Sequence, residues 1–389
     1  MDGTRRLKPL TIFGVTGSIG GQTLDVADSL DLRVGGMAAY RGSDRLLLAA
    51  RRHPDARVVV VGPTNEERER YLAALGRRVE FGTDALLALA GEPDRIVVNG
   101  IVGAAGLAPT VAALESGNRV ALANKESLVA GGPVVVAAAA AGQGEIIPVD
   151  SEHSALWQCL VGETEDAVRR LILTASGGPF RGKNRRDLES VTVAEALAHP
   201  TWSMGPRITI DSATLMNKAF EVIEAHYLYA IPYDRIDVVV HPQSIVHSLV
   251  EFVDGTLKAE LGDPDMRVPI QYAITYPARC PANLEPFDLT AGALEFELPN
   301  RVEFPCLDLG YQAGQTGRSA PAVLNAADEV AVAAFLEGRI SFLAIADVVA
   351  ATLDHMPVVE LLSVADVIDV DTEARRVAAG FVELNGEVR

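Results

Sequence analysis

Leu10-Thr11-Ile12-Phe13-Gly14-Val15-Thr16-Gly17-Ser18-Ile19-Gly20 reads as an apolar strand running into a glycine-rich turn and then a helix. Glycines at every third position permit a tight strand-to-helix turn, and they let a pyrophosphate approach the backbone N–H groups at the helix start. The pattern departs from Gly-x-Gly-x-x-Gly, and such a loop is sometimes merely structural. Its place after the first strand of a βαβ unit favours a nucleotide site, with Thr16, Gly17, Ser18 and Ile19 as the expected contacts.

Outward from this loop, short apolar runs at 10–15, 32–40, 56–61, 95–102, 119–124 and 145–150 alternate with helix-forming segments such as 20–29, 65–75 and 126–141. Runs that are apolar on both faces belong to strands covered by helices on both sides, so the expected fold is α/β with a Rossmann-like parallel sheet over residues 1–149. An NAD site normally places an acidic residue at the end of the second strand, where this chain has Tyr40-Arg41-Gly42-Ser43. Arg41 and Ser43, with Gly42 between them, suit a 2′-phosphate through charge and hydrogen bonds, which favours NADP over NAD. Asp44 is the counterweight, as a helix N-cap or as a charge repelling phosphate.

Beyond Ser151 the alternation changes. Strands are expected at 168–174, 207–210, 235–241, 245–253 and 256–261, with Asp254-Gly255 as a tight hairpin turn. Residues 150–276 therefore read as a central α+β catalytic domain that binds metal and substrate. A Pro-rich linker over 277–306 leads to a C-terminal α-helical domain over 307–389.

Composition excludes several classes. The chain has 389 residues and a net charge of −18, without the basic face that phosphate backbones require, so no nucleic-acid partner is expected. Cys159, Cys280 and Cys306 are odd in number and far apart, matching neither a disulfide framework nor a thiolate zinc site. The longest aliphatic run, at 134–141, falls short of the roughly 20 residues that span a bilayer. The residues before Leu10 carry charges at Asp2, Arg5, Arg6 and Lys8 and no apolar signal core, so a cytoplasmic location is expected.

The chemistry concentrates in two clusters. Asp150-Ser151-Glu152 ends an apolar run, offers two hard oxygen ligands on one side of a continuing strand, and suggests a divalent metal. In 211–221, a segment read as leaving a strand and entering a helix, Asn217, Lys218 and Glu221 lie three and four residues apart and project toward one site. Solvated carboxylates at a domain junction, and an exposed Lys–Glu pair, are the bland alternatives. Asn124 and Glu126 flank Lys125 at a strand end and are cofactor candidates. Gly100 and Gly106 permit close cofactor approach or merely turns, His153 and His247 orient neighbours or react, and Glu224, at helical spacing from Glu221, supports that residue or is exposed.

Segments 14–20, 100–106, 123–127, 149–153, 175–181, 199–205, 211–221 and 241–248 together resemble, in order and over nearly the whole chain, the 1-deoxy-D-xylulose 5-phosphate reductoisomerase family. The resemblance implies NADPH- and divalent-metal-dependent isomerisation and reduction of 1-deoxy-D-xylulose 5-phosphate to 2-C-methyl-D-erythritol 4-phosphate, in isoprenoid precursor synthesis. It implies Asp150, Glu152 and Glu221 as ligands of Mg²⁺ or Mn²⁺, and Lys125 and Ser151 as contacts to the substrate backbone. Ser176, Ser212, Asn217 and Lys218 correspond to the phosphate pocket. His199 corresponds to a phosphate contact on a lid whose Trp202 and Met204 cover substrate or nicotinamide, with Gly205 at the cofactor. A homodimer is also implied. Two departures stand out: Tyr40–Ser43 replaces a Gly/Asn-containing loop, and the segment 182–186 is unusually basic. Another NADP-dependent sugar-phosphate dehydrogenase, or a non-catalytic NADP sensor, are the competing readings; the first has no use for both acidic clusters, and the second none for a complete ligand set.

Overall fold

Leu10–Phe13 forms β1, buried at every residue, as an interior parallel strand requires. The computed structural model describes residues 7–386 apart from Ser203, Asn283, Pro286 and Ala291; Asp2, Arg5 and Arg6 lie outside the described residues. After β1 come β2 (Val34–Ala39), β3 (Arg57–Val60), β4 (Val79–Phe81), β5 (Ile96–Asn99), β6 (Arg119–Leu122) and β7 (Glu145–Pro148). These strands form one parallel sheet in the order β4-β3-β2-β1-β5-β6-β7. The order reverses between β1 and β5, which opens a crevice beyond their carboxyl ends. Only β4, three residues long, escapes the sequence reading, because its span is too short to show a period.

The chain's two compact units are not simple sequential segments. The parallel-sheet unit takes in the chain up to Ser127, residues 135–154 and a stretch beginning at Asp265. In that stretch, helix Arg267–Thr275 packs on helix Ser18–Ser29, and Arg119 of β6 donates from Nη1 to the Tyr276 carbonyl at 2.7 Å. The second unit takes in residues 128–134, 155–264 and the chain from Phe287.

The second unit holds β8 (Val168–Ala175), β9 (Ile236–Val240), β10 (Val246–Phe252) and β11 (Leu257–Leu261) in the order β11-β10-β8-β9. β8 and β9 run parallel, whereas β10 is antiparallel to both of its neighbours. The β10–β11 turn is the expected one at Asp254-Gly255, with Gly255 at φ +85°. Between helices Arg267–Thr275 and Cys306–Thr316 the described residues contain no helix or multi-residue strand, though Glu297 bridges Val240. Helices Cys306–Thr316, Ala320–Leu336, Ala344–His355 and Val364–Gly386 follow. Leu173 of β8, Phe220, Leu324, Phe335 and Ile345 belong to one buried cluster, so these helices complete the core of the sheet.

Two local expectations are corrected. Residues 207–210 form no strand but lie in helix Pro206–Thr214, and Asp211 lies within that helix rather than at a strand end. The β-branched run Ile208-Thr209-Ile210 mimics a strand, yet Pro206 starts the helix and Thr209 and Ile210 are buried by tertiary packing. Likewise, the strand expected at 145–150 stops at Pro148, and Ser151–Leu160 is helical. The carboxylates of Asp150 and Glu152 are therefore arranged around a helix start instead of along a strand.

Two of the loop glycines are irreplaceable for different reasons. Gly14 has φ +71°, and a Cβ there would stand 2.4 Å from the Gly100 carbonyl oxygen. At Gly20 a Cβ would meet the Gly14 carbonyl oxygen and the Val15 Cα, both at 2.4 Å. Since both obstacles are backbone, Gly20→Ala is expected to destabilise the protein by about 1–3 kcal/mol, read as a lower urea midpoint. Gly17→Ala, whose Cβ would meet only the Gly14 oxygen at 3.2 Å, is expected to cost less.

Candidate active site

In the parallel-sheet unit, the helix after β1 begins at Ser18 with Gly17 as N-cap. It has no side-chain cap and no acidic residue in its first turn, so its free N–H groups and positive dipole end face the crevice without a competing anion. Gly17 and Ser18 are exposed, Thr16 and Ile19 partly so. This is the geometry of an anion cradle.

At the end of β2, Arg41 is exposed, lies over the Tyr40 ring at 5.5 Å, and donates from Nη1 to the Gly62 carbonyl. Gly42 is dictated by Tyr71, whose Cε2 would stand 2.7 Å from a Cβ there. Ser43, not Asp44, is the N-cap of helix Asp44–Arg52, accepting from Leu46 N at 3.2 Å. Asp44 pairs with Arg70, which offsets the charge that opposed a phosphate at this loop.

Asn124 and Glu126 shape a loop. Asn124 caps helix Lys125–Gly142 by accepting from Ser127 N at 3.0 Å, and it donates from Nδ2 to the Ile101 and Gly103 carbonyls at 2.8 and 3.0 Å. Glu126 accepts from Gly103 N at 3.0 Å. Together they hold the segment after β5 against the end of β6. Gly106 is required by the same packing, since a Cβ would stand 2.4 Å from Asn124 Oδ1.

Lys125 begins that helix and donates from Nζ to Asp150 Oδ2; His153 Nδ1 lies 3.3 Å from the other Asp150 oxygen. Burial by itself raises the Asp150 pKa, but the Lys125 charge and the hydrogen bonds of His153 and Lys125 outweigh it and hold the carboxyl well below the usual range. Asp150 is thus kept anionic. Its Oδ1 also accepts from Glu152 N at 3.2 Å, and Ser151 Oγ donates to Glu152 Oε2 at 2.5 Å. Sequence reasoning ranked His153 low; its i,i+3 relation to Asp150 becomes meaningful only once the segment is helical.

In the second unit, Ser176 follows β8 and enters a turn in which Gly177 and Gly178 have φ +85° and +67°. The turn packs on helix Pro206–Thr214 so closely that a Cβ on Gly178 would stand 2.8 Å from the Ser212 carbonyl oxygen. His199 Nδ1 accepts from Thr201 N at 3.2 Å and Trp202 N at 2.9 Å, which puts the ring proton on Nε2, 3.0 Å from Ser176 Oγ. Ser176 Oγ also accepts from Gly178 N at 3.2 Å. With both lone pairs engaged, its own O–H is left to donate to a ligand. Burial lowers the His199 pKa, which favours this neutral ring. Trp202 lies against His247, ring centroids 6.5 Å apart, a contact the sequence did not reveal. Met204 is half-buried and Gly205 is the N-cap of helix Pro206–Thr214.

Leu215, at φ +64°, breaks the chain between helices Pro206–Thr214 and Met216–Tyr229. On the second helix the sequence expectation holds: Asn217 Nδ2 donates to Glu221 Oε1 at 2.7 Å and Lys218 Nζ donates to Glu221 Oε2. Glu221 and Lys218 are buried, at 0% and 3% exposure, so this is a desolvated ion pair and not a surface one.

Comparison with known proteins finds relatives over nearly the whole chain. Family models match residues 10–132 (1-deoxy-D-xylulose 5-phosphate reductoisomerase), 146–229 (the reductoisomerase C-terminal domain) and 261–377 (DXP reductoisomerase C-terminal domain). A 1-deoxy-D-xylulose 5-phosphate reductoisomerase of Bacillus cereus (strain Q1) is 47% identical over 95% of this chain and 98% of its own length. One of Desulforamulus reducens is 48% identical over 96% of this chain and 98% of its own. The structure of the Zymomonas mobilis reductoisomerase with NADPH superposes with a TM-score of 0.91 at 41% identity, covering 97% of this chain and 99% of that one. A DOX-P reductoisomerase in complex with NADPH, fosmidomycin and magnesium gives 0.91 at 37% identity, with the same coverage. The chain belongs to the 1-deoxy-D-xylulose 5-phosphate reductoisomerase family.

Proposed function

We infer that this chain uses NADPH and a divalent metal to isomerise 1-deoxy-D-xylulose 5-phosphate and reduce the product to 2-C-methyl-D-erythritol 4-phosphate. NADPH and magnesium in the related structures support this reading, as does family membership along nearly the whole chain. A dehydrogenase of another substrate and a non-catalytic sensor are not favoured. The observation that carries the metal assignment is the half-buried Asp150 carboxylate, paired with Lys125 Nζ and lying 3.3 Å from His153 Nδ1.

Asp150, Glu152 and Glu221 each offer a carboxylate oxygen, and an all-oxygen, all-anionic set suits Mg²⁺ or Mn²⁺. When bound, such an ion supplies Lewis-acid stabilisation of negative charge on adjacent substrate oxygens. Lys125 donates a charged hydrogen bond to the sugar backbone, and Ser151 contacts it through its hydroxyl. Ser176, Ser212, Asn217 and Lys218 bind the phosphate; the Ser176 O–H is aimed outward because His199 and Gly178 occupy its lone pairs. Trp202 and Met204 exclude water while hydride passes from NADPH to the aldehyde carbon. Thr16, Gly17, Ser18 and Ile19 cradle the pyrophosphate, Arg41, Gly42 and Ser43 receive the 2′-phosphate, and Asn124, Glu126 and Gly205 line the rest of the cofactor site. Residues 1–149 bind NADPH and 150–276 perform the chemistry; 277–306 connect to the C-terminal helices. The enzyme acts as a homodimer in the cytoplasm, a location in keeping with three free cysteines and with no described helix long and apolar enough to cross a membrane.

Three outcomes test these assignments. EDTA is expected to abolish substrate-dependent NADPH oxidation and added Mg²⁺ or Mn²⁺ to restore it, while Glu221→Gln loses on the order of 100-fold in rate; an EDTA-insensitive rate with an active Glu221→Gln protein contradicts the metal site. Arg41→Ala is expected to raise KM for NADPH about tenfold and leave that for NADH nearly unchanged, since only NADPH carries the extra phosphate. The lowered His199 pKa means that the neutral ring, and the lid contacts it accepts from Thr201 and Trp202, persist above the ordinary value of 6.5 and are lost as pH falls through the depressed one. KM for the sugar phosphate should therefore climb on the acid side, a climb measured by initial rates and blunted in His199→Asn.

A further inference from the structure

On the helix that carries Ser212 lies a charged cluster that the reaction does not use. Arg207 and Asp211, one turn apart on helix Pro206–Thr214, face Asn325, Asp328 and Glu329 on helix Ala320–Leu336. Arg207 donates to Glu329 Oε1 at 2.8 Å and to Asn325 Oδ1 at 3.0 Å, and its Nη2 lies 3.7 Å from Asp328 Oδ2. Glu329 in turn accepts from Arg375, which also pairs with Asp371 on the last helix. Asp328 is 0% exposed and neither of its oxygens has a conventional donor.

Two guanidinium groups thus meet four carboxyls, and Arg207 brings the most deeply buried of these, Asp328, together with Asp211: it lies 3.7 Å from Asp328 Oδ2 and 3.8 Å from Asp211 Oδ2, with the two carboxyls in hydrogen-bonding reach of each other. Two carboxyls facing each other away from water resist being ionised together; below the raised Asp328 value a proton between them makes one a donor to the other. That proton answers for the oxygens of Asp328 that otherwise lack a donor. Burial, and after it the neighbouring Glu329 charge, push the Asp328 carboxyl up to about 6 against the opposing pull of Arg207 and Asp211. The other titratable group in the cluster is the Cys306 thiol, raised first by burial and then by Asp328 and Asp211, with Asp347 of helix Ala344–His355 facing it as well.

We propose that Asp328 is a positioning residue, clamping through Asp211 and Arg207 the helix that presents Ser212 to the substrate phosphate. The clamp is a shared proton plus an arginine fork, and it ties the C-terminal helices to a residue of the phosphate site. Asp211 and Ser212 are adjacent in the chain, so a rotation of the helix that loosens one displaces the other. The proposal rests on the assignment of Ser212 to the phosphate.

The pH dependence has a definite sign. The folded pKa of Asp328 lies above its ordinary carboxyl value, so the buried proton contributes stability that is present at low pH and lost as pH rises through about 6. Asp328→Asn keeps the shape and carries a donor that cannot be lost. The test uses the full-length enzyme with NADPH, Mg²⁺ and 1-deoxy-D-xylulose 5-phosphate. Asp328→Asn is expected to keep KM within about twofold of the parent and to gain in Tm relative to it as pH rises through about 6. Asp328→Ala, which removes the carboxyl facing Asp211, is expected to raise KM for the sugar phosphate about tenfold with a much smaller change in kcat and no change in KM for NADPH. Ser212→Ala is expected to raise the same KM. A KM that rises in Ser212→Ala but not in Asp328→Ala overturns the positioning role alone, whereas an unchanged KM in Ser212→Ala removes the phosphate assignment beneath it. A Tm difference between Asp328→Asn and the parent that does not vary with pH overturns the shared proton, and that readout stands even where Asp328→Ala fails to fold.

Discussion

A charge taken out of water has to be met by a partner, and this constraint organises the chemically important parts of the molecule. Leaving one member of a buried ion pair alone costs about 3–5 kcal/mol, a large share of a domain's net stability. Lys125 with Asp150, and Lys218 with Glu221, are such pairs; helix register brings the second together, and the packing of the sheet unit the first. At Asp150 the Lys125 charge also holds the carboxyl well below the usual carboxylate range. Stability and function are served here by one arrangement, because the groups that neutralise the acids in the folded chain are also the groups assigned to the substrate.

Hydrogen-bond direction does comparable work around Ser176. His199 receives two backbone N–H groups on Nδ1, which fixes its tautomer; the tautomer makes it a donor to Ser176, and that in turn orients the serine proton. Each step follows from the limited inventory of donors and acceptors on the side chains. Gly177 and Gly178 supply left-handed backbone that lets this serine sit against the helix of Ser212. His199 thus stands beside Ser176 as a neutral donor rather than as a cation.

Much of this was legible before any coordinates. The parallel sheet followed from doubly apolar runs separated by helix-length segments, and the tight strand-to-helix turn from the spacing of Gly14, Gly17 and Gly20. The spacing of Asn217, Lys218 and Glu221 foretold a shared face because helical periodicity is local. The errors were local too. Ile208-Thr209-Ile210 has strand propensity and helical structure, since burial against the core outweighs an intrinsic preference of a few tenths of a kcal/mol. β4 went unseen because three residues cannot display a period.

By itself, then, the sequence determined the class of fold, the identity of the acidic and basic groups and, through its ordered motifs, the family; all of these depend on residue type and on spacings of a few positions. Tertiary structure alone decided which groups answer one another across long separations. Asp150 meets Lys125 from 25 residues away, and Ser176 meets His199 from 23. Arg207 meets Glu329 across 122 residues. The physical reason is that pairing buried polar groups is a global condition: each must find a partner wherever the packed core brings one, and no local pattern encodes where that is.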